Sequence, residues 1–136
     1  MNQYEFFDSP VHGIGCRTIN NLKKDDLIST EPMVRMNSLT MGTNSTINNY
    51  AWGSKKEKNI VFWINGLGSF SNHSNESNMY MKINEEELKC EFFAKRDIEI
   101  GEELFDNYGK GWWEKRKPGS KNKFHTVKSE AIFKLR

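Results

Sequence analysis

"GLGSFSNHSNESN" (Gly66–Asn78) and "GEELFDNYG" (Gly101–Gly109) decide how this 136-residue chain is read. The first crowds Asn, His and Ser behind a Gly-x-Gly stop. The second carries an acidic, aromatic segment into Tyr-Gly. Between them, "MYMKI" (Met79–Ile83) and "LKCEFFAKR" (Leu88–Arg96) flank "NEEE", the pattern of a β-hairpin. A polar knot and a tyrosine so far apart in sequence share a purpose only if folding brings them together. The knot then offers donors and acceptors to a small polar ligand, and Tyr108 offers a phenol.

The flanking segments read as support for that meeting. "NIVFWINGLG" (Asn59–Gly68) is a β-branched and aromatic run halted by two glycines, a buried strand. "YEFF" (Tyr4–Phe7) is a short strand stopped by Pro10, and Leu27–Thr30 is another after the polar turn Lys23–Asp26. Gly13 and Gly15 allow either a plain turn or close backbone approach to a ligand. With no third glycine and no helical pattern behind them, they are not a dinucleotide fingerprint. Residues 36–49 are rich in Asn, Ser and Thr and read as a loop or lid ending at "YAW" (Tyr50–Trp52). Ile98, Ile100 and the Gly101 turn precede a last strand. No long amphipathic helix precedes residue 110, so the expected class is mainly β, assembled from several small sheets.

The length suits one domain, and nine Phe, four Trp and four Tyr supply core area despite 36% hydrophobic content. No apolar run is long enough to span a bilayer and Met1–Pro10 does not resemble a signal peptide, so an intracellular protein without membrane contact is expected. Cys16 and Cys90 are too few for a zinc cluster or a disulfide framework and read as buried small hydrophobes; no metal is expected. Charge is uneven. Residues 1–109 carry eleven Lys/Arg against sixteen Asp/Glu, whereas residues 110–136 carry nine against two. An acidic body suits a basic peptide, and the basic tail suits either solvent or an acidic polymer such as DNA. Trp112 and Trp113 are too apolar to leave in water and should dock on the body. "TVKSEAIFKLR" (126–136) carries helical spacing.

Taken together, "GIG", "FSNHSNESN" and "GEELFDNYG" resemble, in order and spacing, the SET-domain protein-lysine methyltransferases. The likeness is greatest to small stand-alone members such as a chlorella-virus SET protein and a fission-yeast histone H3 enzyme. It covers about residues 5–113, giving a SET domain over 1–113 and a basic extension over 114–136. The resemblance implies small curved, β-clip-like sheets, short helices and a C-terminal pseudoknot that threads the segment after Asn-His-Ser beneath the Tyr-Gly loop. It implies S-adenosylmethionine as methyl donor, S-adenosylhomocysteine as product, and a lysine on a histone H3 tail as acceptor. A nuclear or chromatin location and a homodimer follow from the same likeness.

Site roles come from the resemblance as well. Tyr108 is the catalytic tyrosine. Gly13, Ile14 and Gly15 bring backbone amides to the methionine carboxylate, Asn72 bonds the cofactor's amino-acid end, and His73 offers backbone groups to the adenine. Trp112 and Trp113 cover the adenine and complete the channel. Tyr50, Asp106 and Tyr108 line the passage for the lysine. Two positions depart from the family: Asn75 and Ser77 stand where Cys and Pro are common, and Asp106 stands where an aromatic or aliphatic residue is usual. Strand alternation puts Leu104, Asp106 and Tyr108 on one face. An inward Asp106 would hold the lysine as an ammonium and slow transfer; a local bulge would turn it outward instead. The alternatives are a weak or inactive SET module that binds peptide or cofactor, and a lysine methyltransferase acting on a non-histone protein.

Overall fold

A computed structural model describes residues 2–41 and 46–114. The fold is mainly β. Strands β1 (Tyr4–Asp8) and β2 (Ile14–Thr18) form one antiparallel ribbon. A five-stranded antiparallel sheet takes β3 (Leu27–Asn37), β4 (Ala51–Gly53), β5 (Ile60–Ile64), β7 (Met79–Asn84) and β8 (Lys89–Ala94), in the order β4-β5-β3-β8-β7. Strand β6 (Asn72–His73) pairs in parallel with β9 (Phe105–Asp106) as a third, two-stranded sheet. Helices α1 (Ser38–Met41), α2 (Leu67–Phe70) and α3 (Lys110–Glu114) are single turns, and Thr46–Asn49 is a 3₁₀ turn.

Strand β3 is far longer than the Leu27–Thr30 segment expected, because it serves two partners in succession. Leu27–Pro32 pairs with β8 and Met33–Asn37 pairs with β5. Pro32, which cannot donate to a ladder, sits where the partner changes and accepts a bond from Asn65 N instead. The 36–49 stretch is correspondingly less of a loop: it holds the end of β3, α1 and the 3₁₀ turn.

The core is one cluster that includes Cys16, Ile28, Phe62, Ile64, Leu67, Phe92, Ile98 and Leu104. Alternation explains the sheet's share: Ile60, Phe62 and Ile64 are buried while Val61 and Trp63 are half-buried on the other face. Cys16 and Cys90 are thiols, not joined in a disulfide, at 0% exposure, behaving as the small hydrophobes expected. Burial, helped by the charges of Asp106, Glu31 and Glu91, pushes the Cys90 thiol up to about 12. The helix expected over 126–136 lies outside the described residues. Among the described residues, no helix is long and apolar enough to cross a membrane.

A buried carboxylate sets the approach to the knot. Glu31, 3% exposed on β3, accepts Tyr4 Oη–H at 2.7 Å and Leu67 N–H at 2.9 Å. Gly66 lies against it with φ +53, and a Cβ built there would fall 1.5 Å from Glu31 Oε2. Only glycine satisfies both the left-handed backbone and that contact. The turn fixes where α2 begins and, four residues on, where Ser71 and Asn72 emerge.

Candidate active site

The knot closes through backbone and side chain together. Parallel pairing sets Asn72 opposite Phe105 and His73 opposite Asp106, and Ser74 N donates to Asp106 O at 3.0 Å. Asn78, 2% exposed, clamps the crossing: its Nδ2 donates to Glu103 O and its Oδ1 accepts from Phe105 N, each at 2.8 Å. Gly66–Asn78 and Gly101–Gly109 therefore do meet, and residues 73–78 are tied to 103–108.

Tyr108 lies just past β9, and its position is set from the knot rather than by strand alternation. His73 Nδ1 accepts Tyr108 N–H at 3.1 Å, and Tyr108 Oη donates to Ser71 O at 2.7 Å. An accepting Nδ1 puts the ring proton on Nε2, which donates to Asn75 Oδ1 at 3.0 Å. Both ends of the tyrosine are thus anchored to residues 71–73. Its ring sits 5.2 Å from His73, 4.8 Å from Trp112 and 6.3 Å from Trp113, centroid to centroid. Trp113 also stands edge-on to His73 at 5.0 Å. The two tryptophans dock as their apolar surface demanded, making an aromatic wall over the knot. Trp112 Nε1 donates to Asn49 O at 3.3 Å, which ties the 3₁₀ turn to the same wall. Tyr50 follows that turn and packs on Trp63 at 5.4 Å.

Ile14 and Gly15 lie on β2, which runs beside the acidic segment: Leu104 N donates to Cys16 O at 2.8 Å, and Arg17 bridges Glu103. Gly13 turns with φ +46. A Cβ on Gly15 would stand 2.8 Å from Glu103 Oε2 and 3.1 Å from Asn72 Nδ2. The glycine is demanded by the protein's own side chains, which bring β2 and the knot into direct contact. Asn72 Nδ2 donates to His12 O and to Glu103 Oε2, both at 2.9 Å. Asp106 is buried at 5% exposure with Oδ1 accepting Asn107 N at 2.8 Å, so its carboxylate is not turned out to solvent. Its charge reaches the Cys90 thiol. Among the described residues no group of three or more His, Cys, Asp or Glu is arranged to hold a metal.

A SET-domain family model matches residues 13–109, the span from the glycine turn to the end of the tyrosine motif. The chain belongs to the SET-domain family. Proteins of this family are protein-lysine methyltransferases. A comparison with curated protein sequences gave no match. Among solved structures, the SET chain is similar to a candidate histone methyltransferase of Plasmodium falciparum, with TM-score 0.71 at 23% identity over 83% of this chain and 98% of that one. It is also similar to Polycomb Repressive Complex 2 of Chaetomium thermophilum. A humanized mutant bound to the inhibitor GSK126 gives TM-score 0.65 at 20% identity, over 79% of this chain and 15% of that one. The complex with H3K27me3 and H3K27M gives 0.63 at 20% identity, over 80% and 15%. At these identities the likeness establishes the SET fold.

Several residues that build the SET site gave no signal beforehand. Glu103 is one of several acids in "GEELFD", and nothing in its spacing marks it as the partner of Ser9 and Asn72. Ser71 acts through its carbonyl, which any residue carries. Glu31 reads as a surface charge beside a proline, and only the register of β3 buries it.

Proposed function

We propose that this chain transfers a methyl group from S-adenosylmethionine to the ε-amine of a protein lysine, and that the lysine lies on a histone H3 tail. The observation that carries the reading is the doubly anchored Tyr108, held beside His73 and the tryptophan wall in a SET-family chain. The residues fit the cofactor by the chemistry of their donor set. Asn72 keeps an amide oxygen for an amino-acid end, the Gly13–Gly15 turn approaches it without side-chain bulk, and His73, Trp112 and Trp113 supply flat apolar surface for a purine.

When bound, S-adenosylmethionine supplies an electrophilic methyl on a sulfonium. The acceptor must be a neutral amine, and a lysine with pKa near 10.4 is only about 0.1% neutral at pH 7.4, costing roughly 4 kcal/mol. The aromatic wall lowers that cost by excluding water, which disfavours the ammonium. Tyr108 commits its proton to Ser71 O, so its oxygen lone pairs remain to accept polarised C–H or N–H groups and hold the amine in line. Both anchors fix that oxygen before any ligand arrives, which is the preorganisation such a role requires.

Support for histone comes from the P. falciparum candidate histone methyltransferase and from the complex with H3K27me3 and H3K27M, together with the acidic body. We place the protein among the small stand-alone members, a SET domain over 1–113 with a basic extension over 114–136. It would act as a homodimer at chromatin, the extension touching DNA. The burial of Asp106 two residues before Tyr108 favours a second reading, a SET module that binds but transfers poorly, since a carboxylate facing the lysine would hold it charged. Labelled-methyl transfer to core histones separates the two. Incorporation that disappears in a folded Tyr108→Phe variant supports transfer. Cofactor binding without incorporation into histone or any other protein rejects it.

A further inference from the structure

We infer that Asn65 is a site of spontaneous covalent modification. Its side-chain amide cyclises onto the backbone nitrogen of Gly66 and opens to an isoaspartyl linkage, which loosens the turn leading into the knot. The inference stands apart from the functional reading, since the chemistry needs only water.

Asn65 and Gly66 form the one Asn-Gly pair in the sequence. Ring closure asks three things of such a pair: a mobile amide, a nitrogen with no bulk beside it, and an N–H that no acceptor holds. Asn65 is exposed just past β5, and among the described residues its side chain makes no hydrogen bond. Gly66 N–H likewise donates to no acceptor among the described residues. Glu31 Oε2, which lies against Gly66, already accepts from Leu67 N and Tyr4 Oη.

Nor can the fold shield that nitrogen with a side chain. A Cβ at position 66 would overlap Glu31 Oε2 and Tyr4 Oη, and the left-handed backbone there favours glycine in any case. The buried carboxylate that fixes the start of α2 thus obliges the chain to keep a pair prone to cyclise.

The step balances with water alone. Rotation about the Asn65 side-chain bonds brings Cγ to the Gly66 nitrogen. That nitrogen gives its proton to solvent and bonds to Cγ, while the Cγ–Nδ2 bond breaks and ammonia leaves. Water then opens the cyclic imide. Attack at Cγ restores the chain with an aspartyl side chain; attack at the backbone carbonyl carbon routes the chain through Cβ and Cγ. The second product lengthens the backbone by a methylene and turns the former peptide carbonyl into a free carboxylate. Asn65 O now accepts Gly68 N at 3.1 Å, a bond this rearrangement unseats. One helical turn further on, Ser71 N donates to Leu67 O and Ser71 O holds Tyr108 Oη at 2.7 Å, so the change reaches the tyrosine.

The test ages the full chain in mildly alkaline heavy-oxygen water, native and in urea, and maps its peptides by mass spectrometry. In the native sample, conversion of amide to acid with uptake of one heavy oxygen should be greater at Asn65 than at any other asparagine of the described residues. Amide hydrogen exchange at Gly68 and Ser71 should quicken as the product accumulates. An equally aged Asn65→Gln protein should keep its exchange unchanged, because glutamine must close a larger and slower ring. Conversion in urea with Asn65 intact in the native sample would overturn the inference, since the fold would then protect the pair. Conversion without quickened exchange would overturn the effect on the turn, as would the same quickening in Asn65→Gln.

Discussion

Replacing Asn78 by alanine should cost more than any surface substitution in this protein, and the amount can be worked from its contacts. The side chain is 2% exposed and makes two hydrogen bonds of 2.8 Å, one to Glu103 O and one from Phe105 N. Asn78→Ala leaves one carbonyl and one amide without a partner in a crossing too crowded for ready hydration. Each of the two orphaned groups costs about 1–3 kcal/mol, so the loss should reach about 2–6 kcal/mol. Against a domain stability of about 5–15 kcal/mol that is a large fraction. Asn78→Asp sharpens the point. It keeps the acceptor for Phe105 N but sets an oxygen against Glu103 O, and should also destabilise despite its matching shape. Urea unfolding of both, with exposed Asn75→Ala as reference, gives the numbers; Asn75 also accepts from His73 Nε2, so its own change is expected to be small but not nil. Hydrogen exchange at Ser74 and Tyr108 should quicken in Asn78→Ala. A loss under about 1 kcal/mol, or unchanged exchange at those amides, would refute the idea that Asn78 holds the knot shut.

Burial, and then the Glu31 carboxylate, hold the Tyr4 phenol far above its ordinary value of 10.0. The folded state keeps that proton more tightly than the unfolded chain, so the stability tied to it is present below pH 10 and lost as pH rises further. Tyr80, raised by its bond to Asp25, acts in the same direction, so the difference between wild type and Tyr4→Phe isolates Tyr4. Melting curves between pH 8 and 11 should fall more steeply in the wild type; parallel curves would contradict this. Cys90, with its thiol pushed up to about 12 and no exposure, should resist alkylation at pH 8 until denaturant opens the core. Rapid labelling of the native protein, read by mass spectrometry, would count against the packing around β8.

The hairpin of β7 and β8 was legible because alternation, β-branched residues and a polar turn all agreed. The meeting of the Asn-His-Ser knot with Tyr108 was legible too, since neither stretch makes local sense alone. Other features were hidden for physical reasons. The strand expected at Leu27–Thr30 runs on through Glu31 and Pro32, because β3 changes partner after Pro32. Leu67–Phe70 looked like a glycine stop, because a one-turn helix has too few residues to show a period. Gly15 read as either a plain turn or a close backbone approach, and the contacts that exclude a side chain there come from Glu103 and Asn72, residues remote in sequence. Long-range hydrogen bonds of that kind leave no trace in periodicity or composition.

The most direct measurement is a crystal structure of the full chain with S-adenosylhomocysteine and a histone H3 peptide. The sulfur and the lysine nitrogen should converge beside the Tyr108 hydroxyl, with the amino-acid end at Asn72 and the purine against His73 and the two tryptophans. A ligand seated away from the β6–β9 crossing, or a lysine that never approaches Tyr108, would contradict it.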